Sequence, residues 1–298
     1  MKIVYFGTSE IGIPILSALK KHHQVLAVVT TPDKPVGRKQ VLSPSAIANE
    51  ALRLNLPVLK PTKVKNNPEF LEELKKFEAD IFVVVSYGKI LPVDLLDIPP
   101  LKTINVHFSL LPKYRGPAPV QFALLNGETK TGTSIFILDE LVDHGPILAM
   151  QELDIDPDDT NISLQSKLAI TSADLILETL PNYESGKIEP QVQNHDLATG
   201  SKIISKEDGK INWDQTAQEI YNQFRAYQPW PGIYTSWQGK ILKILDCRPH
   251  TESSTETIDC GNKTYLRLIT VQLEGKNPVS IKDFLNGYPD FNSKTLLW

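Results

Sequence analysis

The sequence predicts an α/β chain in which a mostly parallel sheet is followed by a smaller, β-rich unit. Three observations carry that prediction. Short apolar runs alternate with segments of helix-like apolar spacing through the first half of the chain. One of those runs, Ile81 to Val85 (IFVVV), is apolar and β-branched without a break, as suits a strand covered on both faces. The last third instead holds several short strand signals separated by turn residues, the pattern of a small barrel or sandwich.

Lys2 to Phe6 (KIVYF) reads as a strand that ends at Gly7, and Ile11 to Leu19 has the spacing of a helix. Val25 to Val29 repeats the strand pattern and runs into TTPDKPVGRKQ, a cluster of Pro, Gly and charge that cannot be regular throughout. Ser43 to Leu54 reads as a helix, Pro57 to Leu59 as a short strand and Pro68 to Phe77 as an amphipathic helix. Strands alternating with helices imply right-handed crossovers, with ligands beyond the carboxyl ends of the strands. Gly7-Thr8-Ser9, Ser86-Tyr87-Gly88 and Asn105 to Ser109 are therefore expected on one edge. Thr133 to Leu138 is a further strand, and Ser163 to Leu180 a long helix capped near Thr160 or Asn161.

Residues 182–210 turn polar, which places a first domain at 1–190, a linker at 191–205 and a second domain at 206–298. There Asp214 is read as the cap of a helix with Ala217, Ile220, Tyr221 and Phe224 on one face, stopped by Pro229-Trp230-Pro231-Gly232. Ile233 to Trp237 and Ile241 to Leu245 flank a hairpin signal, Gln238-Gly239-Lys240, and Tyr265 to Gln272 is a further strand.

A chain of 298 residues, 41% apolar, can bury the cores of two domains. Its net charge of −4 argues against the broad basic footprint of a general nucleic-acid binder. The tail is slightly positive, with 12 basic and 11 acidic residues in 201–298 against 19 and 24 in 1–200. The start, MKIVYFGTSE, is too short for a signal or a span, and no apolar run is long enough to cross a membrane, so a soluble cytoplasmic protein is expected. Cys247 and Cys260 read as reduced packing residues.

Gly7 and Gly12 form G-x-x-x-x-G with no Lys-Ser/Thr after it, which is a tight turn and not a phosphate loop. In N-V-H, alternation along a strand turns Asn105 and His107 to one side and Val106 to the other. Alone, the pair fits a structural histidine. Asp143 changes the weighing, because a carboxylate near an imidazole orients it and raises its pKa, while a carboxamide adds a neutral donor. Such a trio suits acyl transfer to an amine, with donors for an oxyanion and a carboxylate that moves the amine's proton. Ser109 lies close by, but G-x-S-x-G is absent and no covalent nucleophile is expected. His107, Asp143 and His144 have metal-ligand chemistry without metal-site spacing, so no metal is expected.

At Asn105 to Pro112 and Asp139 to Gly145 the chain resembles the 10-formyltetrahydrofolate-dependent formyltransferases, which share N-x-H, an S-L-L-P loop and a D-x-G. The likeness extends through "FGTSEIGIPIL", "TTPDKPVGR" and "VVVSYGKILP" to "SKEDGKINW", "RAYQPWPG" and "LEGKNPVSIKDFLNG", and the tail segments resemble the members that act on tRNA. The resemblance implies a Rossmann-like N-terminal domain and an OB-like C-terminal β-barrel. It implies 10-formyltetrahydrofolate as formyl donor, no metal, and transfer to the α-amine of methionyl initiator tRNA by a cytoplasmic monomer that does not bind membranes. Carried across by residue, it implies that Asn105, His107 and Asp143 are catalytic. Ser109, Leu110, Leu111 and Pro112 are implied to contact folate, with Tyr87, Gly88 and Ile90 lining the same cleft. Lys34, Arg38 and Lys39 are implied to meet tRNA phosphates.

Two positions depart from the family pattern. Phe108 stands where the family carries a small residue and is expected to narrow the cleft, and the polar run CRPHTESSTETID, 247–259, is read as lacking a strand. Two other readings stay open: formylation of a sugar-nucleotide amine, which uses the same trio, and a folate- or RNA-binding protein whose catalysis has lapsed.

Overall fold

The structure, a computed structural model, describes residues 1–36 and 40–297. The chain groups into one unit of residues 1–119, 130–154 and 165–201, and another of 120–129, 155–164 and 202–298. Two segments inside the range 1–190 thus fold with the second unit.

The chain opens with β1 (Lys2–Gly7) and α1 (Ile13–His22), whose first turn holds Pro14, where a missing N–H leaves no bond unmade. β2 (Gln24–Val29) follows, then a small hairpin of β3 (Lys34–Val36) and β4 (Val41–Ser43) within the stretch read as irregular. α2 (Ala46–Arg53) begins after Ser45, whose hydroxyl accepts the Ala48 N–H. β5 (Val58–Leu59), α3 (Pro68–Lys75) and β6 (Ile81–Val85) come next, and all five residues of β6 are buried. α4 (Val93–Leu96), β7 (Thr103–His107), α5 (Pro119–Leu125), β8 (Lys130–Ile137), β9 (Ile147–Asp154) and α6 (Asn161–Glu184) complete the series.

The first unit is built on the sheet β5-β2-β1-β6-β7-β8-β9. Its pairs are parallel from β5 to β7, and β8 and β9 add on antiparallel. From β1 the chain builds one way to β2 and β5, then crosses back to place β6 and β7 on the other side. The order therefore reverses between β1 and β6, and at such a switch point two diverging connections leave a crevice beyond the strand ends. Beneath it the rings of Phe6, Phe82 and Tyr87 pack at centroid separations of 5.4 and 5.5 Å within a continuous apolar cluster.

In the second unit α7 (Ala217–Ala226) starts at Thr216, not at Asp214. The Thr216 hydroxyl accepts the Glu219 N–H, and the Glu219 carboxylate accepts the Thr216 N–H, a reciprocal cap. The strands are β10 (Ile233–Trp237), β11 (Lys240–His250), β12 (Thr257–Cys260), β13 (Thr264–Leu273), β14 (Val279–Ser280) and β15 (Leu296–Leu297), with α8 (Ile281–Gly287) between the last two. All pairs are antiparallel, in the order β12-β13-β11-β10-β15, with β14 beside β13. Gln238 and Gly239 both have positive φ, 49° and 74°, the turn that matches the twist of a two-residue hairpin.

The polar run 247–259 does carry strand: β11 continues to His250, and Thr257 begins β12, which pairs with β13. The core centres on Trp237, with Phe284, Tyr288 and Phe291 around it at 5.0 to 5.7 Å. Cys247 and Cys260 are buried free thiols, and burial pushes both up, Cys260 to about 12. Among the described residues no helix is long and apolar enough to cross a membrane.

Candidate functional site

The sheet of the first unit delivers Gly7, Val85 and His107 to one edge, since β1, β6 and β7 are adjacent and parallel. The turns after β1 and β6 are tied together by the Thr8 hydroxyl, which donates to the Tyr87 carbonyl at 2.9 Å. A cavity of about 610 Å³ opens beside them, a size suited to a small-molecule substrate. Asn105, His107, Asp143, Tyr87, Gly88, Ile90 and Lys34 line it, as does Phe108. Gly7 and Gly12 do not. They pack under Tyr5, whose hydroxyl donates to the Gly12 carbonyl at 2.9 Å and would collide with a Cβ there.

Ser109, Leu110, Leu111 and Pro112 are absent from that lining; Ser109 and Leu111 are buried, and Leu110 and Pro112 are half-buried. The Ser109 hydroxyl donates to the Lys113 carbonyl at 2.6 Å, and the Ser134 hydroxyl bridges the Ser109 carbonyl and the Leu111 N–H at 2.7 and 3.0 Å. Leu111 packs on Phe136 and Ile147. Arg38 and Lys39 lie outside the described residues.

His107 is buried, and its Nε2 lies 3.0 Å from the Tyr114 carbonyl. A carbonyl only accepts, so Nε2 carries a hydrogen and Nδ1 is the atom left to face Asp143. Nδ1 and Asp143 Oδ2 are 3.6 Å apart, in reach of a shared proton after a small movement or through a water. Oδ2 accepts the Gly116 N–H at 2.7 Å. Oδ1 of Asp143 and the carboxamide of Asn105 have no hydrogen-bond partner among the described residues. The site thus offers an unspent neutral donor, an imidazole fixed at one nitrogen and a carboxylate with one open oxygen.

Asp143 belongs to the connection between β8 and β9, which closes on itself. The Ile137 N–H donates to the Pro146 carbonyl at 2.9 Å, and Gly145 passes so close to the Ile137 carbonyl that a side chain would collide with it. Asp139 turns the loop by accepting the Leu141 N–H at 3.0 Å with one oxygen, and its other oxygen lies 2.7 Å from His144 Nδ1. Asp143 itself is held at φ 50°, a left-handed conformation that an aspartate tolerates better than most residues.

Tyr87 is 2% exposed and its hydroxyl has no partner among the described residues. Burial pushes the phenol up to about 12, so it remains a neutral donor at physiological pH. Lys89, on the same turn, donates to the carbonyls of Pro61 and Thr62 at 2.9 and 3.0 Å; burial and then the charge of Lys34 lower its pKa. Among the described residues no three His, Cys, Asp or Glu side chains gather as a metal site.

Sequence reasoning missed the supports: Tyr114, Gly116 and Gln193. The Gly-Pro pair at 116–117, a turn signal close after N-V-H, was a weak pointer to the first two. Gln193 had none, being one polar residue in a polar stretch.

Residues 1–180 match the model of a family described as Formyl transferase, and 203–289 match Formyl transferase, C-terminal domain. The methionyl-tRNA formyltransferase of Sulfurihydrogenibium sp. is 41% identical over 97% of each chain. That of Koribacter versatilis is 42% identical over 97% of this chain and 96% of its own. Among solved structures, the Helicobacter canadensis N-formyltransferase, in complex with folinic acid and dTDP-3-aminofucose, superposes with a TM-score of 0.69. It covers 90% of this chain and 98% of its own at 22% identity, a likeness of fold.

Proposed function

The chain belongs to the formyl transferase family, and on that premise we propose that it moves the formyl group of 10-formyltetrahydrofolate to the α-amine of methionyl-tRNA, for translation initiation. The observation that supports this reading most is the convergence of Asn105, His107 and Asp143 on one cavity. Acyl transfer to an amine needs no protein nucleophile. It needs donors where negative charge develops on oxygen, and an acceptor for the amine's proton. Asn105 supplies a donor with no competing bond. His107, its Nε2 committed to Tyr114, acts through Nδ1, and the open oxygen of Asp143 accepts the proton directly or through a water.

The cavity fits a folate on its own chemistry, with apolar walls and a buried phenol whose donor lacks a partner. Tyr87, Gly88 and Ile90 are assigned to that ligand. Ser109 to Pro112 take a supporting part, because their bonds fix the chain that leads to Tyr114. Lys34, together with Arg38 and Lys39, is assigned to the phosphates of the tRNA acceptor, on a cytoplasmic and monomeric enzyme.

The test is a side-by-side assay of purified protein with 10-formyltetrahydrofolate and three acceptors: methionyl-tRNA, a sugar-nucleotide amine and free methionine. Formylmethionyl-tRNA is the expected product. Faster formylation of the sugar amine would move the chain to that substrate class, and folate binding without transfer to any amine would make it a binding protein.

A further inference from the structure

Residues 191–201, read from sequence as linker, fold with the first unit and hold its reactive groups. Gln191 and Ile147 exchange both backbone hydrogen bonds, each 2.8 Å, which seats this strap beside β9. Two residues on, Gln193 is 4% exposed. Its Nε2 donates to the carbonyls of Asp143 and Gly145 at 3.0 and 2.8 Å, and its Oε1 accepts from Nε and Nη2 of Arg115 at 3.3 and 2.7 Å. Two donors and two lone pairs are all that a carboxamide has, and every one is used.

The strap then runs along the other side of the site. Thr199 accepts the Tyr114 N–H on its hydroxyl at 2.9 Å and the Arg115 N–H on its carbonyl at 2.8 Å, and the Ser201 N–H donates to the Arg115 carbonyl at 2.6 Å. The residues so tethered, Tyr114 to Gly116, include the carbonyl that accepts the hydrogen bond of His107 Nε2–H and the N–H that donates to Asp143. Among the described residues, Gln193 is the side chain that joins this tether, through Arg115, to the backbone of Asp143 itself. A left-handed aspartate persists only where its surroundings over-determine it.

We propose that Gln193 is a positioning residue for formyl transfer, holding the Asp143 loop so that its carboxylate stays in register with His107. The inference rests on the formyl-transfer reading of the site. Its test compares steady-state kinetics of wild type, Gln193→Met, Asp143→Asn and the double variant with methionyl-tRNA and 10-formyltetrahydrofolate, after circular dichroism has checked folding. Displacement of a reacting group by about 1 Å costs on the order of 100-fold, so Gln193→Met should lower kcat by about 10- to 100-fold and leave the folate KM within about twofold. The double variant should be no slower than Asp143→Asn, because Gln193 then has nothing left to position.

A smaller fall in kcat, or a double variant slowed by the product of the two single effects, overturns the inference. Should Gln193→Met fail to fold, Gln193→Glu is read by the same criteria, since it keeps the length and the Arg115 contact while removing both amide donors. Inactive wild type would instead overturn the formyl-transfer reading, a result distinguishable from active wild type with unaffected Gln193 variants.

Discussion

Asn105 and His107 reach the cavity on β7, whereas Asp143 reaches it on the loop between β8 and β9, and the two are held in opposite ways. The strand lies between β6 and β8, so ladder bonds on both sides fix its backbone. The loop has no ladder. It is held by the Ile137 to Pro146 bond, by Asp139 and by Gln193, with Asp143 in a left-handed conformation. A ladder fixes many residues and rarely fails at one, while a loop held by single bonds transmits the loss of each to the carboxylate it carries. Substitutions that disturb the loop's support should therefore cost activity more than stability, and those on the strand, apart from Asn105 and His107 themselves, stability more than activity.

The sharpest way to break that contrast is Gly145→Ala. The added Cβ meets the Ile137 carbonyl, so the loop must shift, and turnover should fall by about 100-fold. Unchanged turnover would show that Asp143 does not depend on the loop's seat. Thr199→Val comes next, because it removes the hydroxyl that accepts the part-buried Tyr114 N–H; urea unfolding should report a loss of about 1 kcal/mol. On the strand side, Val106→Ala removes buried methyl groups, costing about 1 to 2 kcal/mol by thermal melt while turnover stays within about threefold. A larger effect on rate than that would erase the distinction.

The smallest effect is expected in the second unit. The hydrogen bond from Lys202, followed by those from Ser205, lowers the Asp208 carboxyl from 3.8 to about 2. A depressed carboxyl adds stability above its unfolded pKa and loses it as pH falls, so this contribution, on the order of 1 kcal/mol, is present above about pH 4 and is lost as pH falls through about 2. Acid titration of unfolding should be shallower in Asp208→Asn, and an identical curve would remove Asp208 from the account.

The same contrast explains what was legible in the sequence. IFVVV announced a strand covered on both faces, and the alternation in N-V-H set two polar groups on one strand, because period and composition are local properties. Gln238-Gly239 announced its hairpin for the same reason. Asp143 was legible only through the chemistry of a trio, and its bonds to Gly116 and Gln193 span 27 and 50 residues. Gln193 looked like linker because a polar side chain that saturates buried carbonyls has the composition of one that faces water. The strand Thr257–Cys260 was hidden by the polar residues that precede it, and the cap of α7 by an aspartate two residues before the threonine that makes it. Ser109 to Pro112 read as folate contacts from their resemblance alone, and the bonds of Ser109 and Leu111 to Lys113 and Ser134 have no local signal in that run.

The central claim is that a strand-borne imidazole and a loop-borne carboxylate serve one reaction centre. The direct measurement is the rate of formylmethionyl-tRNA formation by Asp143→Asn and His107→Ala at saturating folate. Each should fall by about 100- to 1000-fold while folate affinity is retained. Turnover near that of wild type in either variant would contradict it.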